Sequence, residues 1–336
     1  MPFIKKIITA SKVPATVSGI IKKIATQNTF LQTKVQPVLT AAEATNDGSL
    51  DANDFKKISG YYGLAVPAIL GEAICILHNK KMSDAERIAS TSQGAMTGLF
   101  DDFFDKQYLP DHYIENMLQT NAKSKRSNEI LFLHFYKQAL QYVPSKEKML
   151  EKLMDVYQAQ LESKKQAQPL SEDEIQQISL YKGGASLLFY RTAFSPAPSK
   201  KEEKLLYNFG GLMQVANDIF DVYKDRENGI KTLVTETKHI ATLRHLFLKE
   251  LTANNKEAYE MGFPKKSVAQ FLSILSLGIF SRAFVCLDRL EKNEASTKHV
   301  FAVHEYSRKQ LICDMDTRKN QMKSAIHHVK LLAGNG

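Results

Sequence analysis

From Phe55 onward the apolar residues of nearly every long segment recur at helical spacing, and no run alternates apolar and polar as a half-buried strand would. Such a chain can bury its apolar stripes only by packing helix on helix, so the expected class is all-α. No Pro-, Gly- and Ser-rich linker divides it and no repeat of solenoid period appears. The expectation is one large helical bundle over residues 51–336, preceded by a basic helical extension over residues 1–50.

Composition narrows the class further. Hydrophobic residues at 43% and charged residues at 24% suit a globular chain rather than a disordered one. Cys75, Cys286 and Cys313 are too few and too widely spaced for a disulfide framework or a Cys-rich zinc site, which points to a reducing, cytoplasmic setting. The net charge of +9 suits an anionic partner. Without zinc-finger spacing, an RNP-like motif or a basic run interleaved with aromatics, nucleic acid is not the expected one. A homodimer is compatible with everything above.

The N-terminal segment has no acidic residue before Glu43 and carries Lys5, Lys6, Lys12, Lys22 and Lys23, but no apolar core followed by a small-residue cleavage site, so secretion is not expected. Val17, Ile20, Ile21 and Ile24 form an amphipathic stripe. Packing on the domain edge is the preferred reading and peripheral contact with an anionic membrane surface the alternative. Phe271 to Leu287 is the most apolar stretch, but Arg282 and several serines within it favour a core helix over a membrane span. Glu43 to Asp54 has the outline of a calcium loop with the wrong acids at its ends; Asn46-Asp47-Gly48 reads instead as a turn with a helix starting after it.

Two acidic clusters sit on otherwise apolar helical stretches. In Leu99-Phe100-Asp101-Asp102-Phe103-Phe104-Asp105, a turn of about 100° per residue places Asp101 and Asp105 on one face with Asp102 beside them. Three carboxylates so placed repel one another unless a hard cation, or a basic side chain from a neighbour, answers them. The second cluster runs from Gln214 to Asp225, where Asn217, Asp221 and Asp225 make an i, i+4, i+8 ladder with Gln214 one turn earlier. Magnesium takes one or two carboxylates plus water and phosphate oxygens, so two such strips suit a bound diphosphate. Helix starts are marked by Ser171 with Glu174 and by Ser199 with Glu202, both at capping-box spacing. Gly183-Gly184 within a helical pattern invites a kink that would turn backbone groups toward a ligand beside Lys182, or else a close helix contact.

The pair of clusters resembles the class I isoprenoid synthases. Asp101-Asp102-Phe103-Phe104-Asp105 matches their DDxxD motif, with Leu99-Phe100 before it as in microbial terpene cyclases. The segment from Asn217 to Asp225 is similar to the cyclase pattern NDxxSxxKE, with Asp221 for Ser and Asp225 for Glu. Tyr181-Lys182-Gly183-Gly184 resembles the break of chain-elongating prenyl synthases. Gln214, Asn217, Asp221, Asp225 and Gly229 also fit the second motif of squalene and phytoene synthases, with Asp101 and Asp105 as their first. The twin arginine after the first motif and a basic stretch before Gly63 are absent, so an isopentenyl diphosphate acceptor site is not expected.

The resemblance, spanning about Gly60 to Arg308, implies a bundle of the isoprenoid synthase type that ionises a farnesyl-sized prenyl diphosphate with magnesium, manganese being the alternative. Asp101, Asp102, Asp105, Asn217, Asp221 and Asp225 would hold the metal. Lys182, Gly183, Gln214, Lys231, Phe100 and Phe104 would contact substrate. Met96, Phe103, Phe189 and Phe220 are further lining candidates, or plain core. Head-to-head coupling, chain elongation and non-catalytic prenyl-lipid binding are the alternatives.

Overall fold

The computed structural model describes residues 2–105, 113, 117–118 and 126–333, with side chains for all of these except 2–9, 101–102 and 104–105. Helix is the only regular structure among the described residues, and the all-α class holds. The longer elements are α1 (Pro2–Phe30), α2 (Gln36–Ala44), α3 (Ala52–Leu77), α4 (Asp84–Asp105), α5 (Ser127–Tyr142), α6 (Lys146–Ser163), α7 (Glu172–Arg191), α8 (Lys200–Glu227), α9 (Ile240–Glu260), α10 (Lys265–Ser296) and α11 (Arg318–Ala333).

The start signals act as their spacing predicts. The Ser171 amide donates to Glu174 Oε2 at 2.8 Å and the Glu174 amide to Ser171 Oγ at 3.3 Å, opening α7. The Glu202 amide donates to Ser199 Oγ at 3.2 Å, opening α8. Between α2 and α3 the Asn46 side chain accepts from the Gly48 and Leu50 amides, and Asp51 caps α3. Hydrogen bonds from Ser49, then Ser127, hold the Asp47 carboxyl down at about 2. This is a self-satisfied turn.

The chain divides into two compact units. One comprises Gly19–Glu151 and Phe189–Ala197. Its core joins α4 to α5 through Phe100 and Phe103 against Phe132, with ring centroids 6.0 and 5.4 Å apart. Half-buried Arg87 bonds Gln27 and Glu72, and buried Arg191 donates to the Phe194 and Pro196 carbonyls. Phe100 is part of this core, as is Met96.

The other unit comprises Met1–Ser18, Lys152–Leu188 and Pro198–Gly336. Phe209 of α8 meets Phe271 and Phe280 of α10 at 5.7 and 6.2 Å, and Phe247 of α9 meets Phe280 and Phe284. The stretch from Phe271 to Leu287 is thus a core helix. By length and composition α3 and α10 could each cross a membrane, yet 50% and 67% of their most apolar windows are buried within the chain.

The amphipathic stripe of α1 is split: Ile20 and Ile24 are half-buried, as edge packing requires, while its other two residues are exposed. Val17 and Ile21 remain 37% and 60% exposed, because the buried side of the N-terminal helices is set by Gln27, Leu31, Val35 and Leu39.

Candidate functional site

The second acidic cluster is organised by a close approach of α7 and α8. A Cβ on Gly183 would fall 2.1 Å from the Gly210 carbonyl oxygen, and one on Gly210 would fall 2.3 Å from that of Gly183. Gly184 and Gly211 meet Tyr207 and Leu180 nearly as closely. Four glycines, two on each helix, therefore let the backbones touch. α7 stays helical through Gly183-Gly184, and these glycines relieve side-chain bulk at a helix contact, the second of the two readings of the pair. Gly183 accordingly faces Gly210 rather than a ligand.

That contact sets Ser179 and Lys182 of α7 beside the acidic side of α8. Asp218 is buried; its Oδ1 accepts from Gln214 Nε2 at 2.8 Å and its Oδ2 from Ser179 Oγ at 3.2 Å. Asn217 Nδ2 donates to Asp221 Oδ2 at 3.4 Å. Asp225 follows one turn after Asp221.

The electrostatics are unbalanced. Burial pushes Asp218 up to about 6 against the pull of Gln214, Lys182 and Ser179. Burial followed by the charges of Asp218 and Asp221 pushes Asp225 up to about 7, and Asp221 is raised by burial as well. Lys182 and Lys224 are the cations that oppose this. Among the described residues no ion pair within 4 Å joins Lys182 to a carboxylate. Three buried or half-buried carboxylates with so little countercharge suit a hard dication. Among the described residues no three His, Cys, Asp or Glu side chains converge tightly enough to hold a metal by themselves. Magnesium needs fewer, because water and phosphate oxygens complete its shell.

The structure thus brings together Lys182, Gln214, Asn217, Asp221 and Asp225 among the residues expected from sequence. It adds Asp218 and Ser179, which the sequence reading missed. The signal was available: Asp218 lies four residues after Gln214 and is flanked by Ala216 and Ile219, both on the buried side of α8.

Other expected residues are placed elsewhere. Lys231 pairs with Glu236 at 3.1 Å, and its amide donates to the Gln166 carbonyl at 2.8 Å. The described span of α4 includes Asp101, Asp102, Phe104 and Asp105 in the other unit, but their side chains lie outside the described residues. Phe189 is buried against Tyr190, and Phe220 lies under the Arg282 guanidinium at 5.7 Å. Tyr223 carries Arg226 and Arg308 on its ring at 4.9 and 5.7 Å, so cations gather along the C-terminal part of α8.

A cavity of about 120 Å³ is lined by Leu180, Asn208, Leu212, Val215, Phe247 and Asn254, among others. Its α8 residues lie roughly 150° round the helix from the ladder, so cavity and ladder are on different sides of α8. No family model, curated protein or solved structure matches the chain.

Proposed function

We propose that the chain is a magnesium-dependent class I terpene synthase that ionises a single prenyl diphosphate, farnesyl-sized or close to it, with manganese as the alternative ion. The observation that supports this is the strip of Asp218, Asp221 and Asp225, buried or half-buried and undercompensated, with Lys182 beside it. Asn217, Asp221 and Asp225 offer oxygen ligands, while Gln214 and Ser179 hold Asp218 in place behind them. Magnesium, when bound, supplies the Lewis acid that stabilises charge on the departing diphosphate oxygens. Lys182 adds a fixed positive charge near those oxygens. Asp101, Asp102 and Asp105 are the further metal-holding carboxylates that the motif resemblance implies. Lys231, tied to Glu236, is left a minor part in this reading.

The exposed Ile21 and Val17 on a helix whose nearest charges are lysines support a second element of the proposal, peripheral contact of α1 with an anionic membrane surface.

The test is incubation of the full chain with magnesium and prenyl diphosphates of several lengths, with and without isopentenyl diphosphate, followed by gas chromatography of the extract. A linear or cyclic terpene formed from one prenyl diphosphate is the expected product. A squalene-like hydrocarbon would reassign the chain to head-to-head coupling, and a longer prenyl diphosphate to chain elongation. Binding without any product would leave a lipid-binding protein and overturn the enzyme reading.

A further inference from the structure

The cavity between α7, α8 and α9 lies within one compact unit and is walled by residues at helical spacing. Leu243, Leu246, Phe247, Glu250 and Asn254 recur along α9 within an arc of about 100°, so they share one face of that helix. Asn208, Leu212 and Val215 do the same on α8, and Gln176 and Leu180 on α7. Leu233, from the helical turn Leu233–Glu236, completes the wall. Leu212, Val215, Leu233, Leu243 and Phe247 are buried and form an apolar floor, whereas Gln176, Asn208, Leu246 and Glu250 are half-buried and lie toward solvent.

The polar side chains on this wall are not used by the fold. Among the described residues, those of Gln176, Asn208, Glu250 and Asn254 make no hydrogen bond or ion pair. Asn254 is only 6% exposed, and a buried primary amide without a partner is costly. Its polar atoms border the cavity instead of being sealed in protein, since among the described residues Gln93 Oε1 is the one sealed side-chain atom without a partner. Glu250 is the sole charged group on the wall. Water alone would satisfy the amides but would leave the carboxylate unpaired and the apolar floor wet. The space, about 120 Å³, is close to the roughly 150 Å³ in which an apolar cavity holds benzene, so it admits a body of about six non-hydrogen atoms.

We propose that this cavity binds a small primary amine, whose apolar body fills the leucine-lined floor and whose ammonium group lies between Glu250 and the side-chain amides. An ammonium carries three donors and no acceptor. One meets the Glu250 carboxylate in a charge-assisted bond, and the others meet side-chain amide oxygens, that of Asn254 first because it is the most enclosed. An anion of the same size is repelled by Glu250. A neutral alcohol fills the floor but leaves the carboxylate unanswered. α8 stands between this cavity and the ladder of Asn217, Asp221 and Asp225, so an amine and a diphosphate do not compete for the same groups. The site stands independently of the terpene synthase reading.

The test titrates cyclopentylamine, cyclopentanol and cyclopentanecarboxylate into the full chain by calorimetry at neutral pH, each to about 10 mM, with neither magnesium nor pyrophosphate present. One equivalent of the amine should bind, about tenfold more tightly than the alcohol, and the carboxylate should not bind. Glu250→Gln should weaken the amine about tenfold, to the level of the alcohol, and leave the alcohol unchanged. Leu246→Phe, which fills the cavity from its solvent side, should abolish binding of both. No binding of the amine, equal binding of amine and alcohol, binding of the carboxylate as tight as that of the amine, or unchanged amine affinity in Glu250→Gln would each overturn the proposal. Should Leu246→Phe fail to fold, Glu250→Gln, a substitution of equal size at a half-buried position, decides alone.

Discussion

Asp225 is the residue whose protonation most distinguishes this account. Its carboxyl ordinarily ionises near 3.8 and is held up at about 7 by burial and by Asp218 and Asp221. Below about 4 it is neutral in both folded and unfolded chains and costs nothing; as pH rises toward 7 the unfolded chain ionises first, and folding stability falls. Asp225→Asn should therefore be more stable than the unmodified protein at pH 8 without divalent ions, by about 1–2 kcal/mol. The gap should close as pH is lowered toward 4 in denaturant titrations. A pH-independent gap, or a less stable variant at pH 8, would contradict the picture of a strained carboxylate. Lys182→Met removes a cation that opposes three carboxylates while keeping most of the side-chain volume. Magnesium-pyrophosphate affinity should fall roughly tenfold and become less sensitive to salt; unchanged affinity across ionic strengths would remove Lys182 from the site. The ladder of Asn217, Asp221 and Asp225 was legible from spacing alone. Asp218 was not singled out although Gln214 one turn earlier signalled it; its second partner, Ser179 on α7, is visible only in the fold.

At the scale of elements, the contact between α7 and α8 carries the site. Gly183→Ala gains about 1 kcal/mol of helix propensity but sets a Cβ 2.1 Å from the Gly210 carbonyl oxygen, so the helices must part. A net loss of about 2–3 kcal/mol is expected in chemical denaturation. Gly19→Ala has nothing within 4 Å of its new methyl and should stabilise α1 slightly, by about 0.5 kcal/mol. Equal effects at the two positions would show that the glycine contact is not tight. Helix starts were legible because Ser171 with Glu174 and Ser199 with Glu202 act through local chemistry. The role of Gly183-Gly184 was not, since a kink and a close contact call for the same residues, and only the facing Gly210 and Gly211 of α8 distinguish them.

Over the whole molecule, helical periodicity was enough to give the all-α class, but it could not say which stripes are buried. Ile21 belongs to a stripe as apolar as those of the core and is 60% exposed. If α1 rests on a membrane surface, the full chain should co-sediment with vesicles containing anionic lipid and not with neutral ones, with loss at high salt and on Ile21→Glu. Equal binding to neutral vesicles, or none to either kind, would remove that contact from the account. The central claim concerns the carboxylates of α8 as a site completed by phosphate oxygens. It is tested most directly by calorimetric titration of magnesium into the full chain at pH 8, with and without pyrophosphate. The account predicts that each ligand tightens the other by at least about tenfold, and that Asp225→Asn removes the coupling while the fold persists. Magnesium and pyrophosphate binding independently of one another, or coupling that survives in Asp225→Asn, would contradict it.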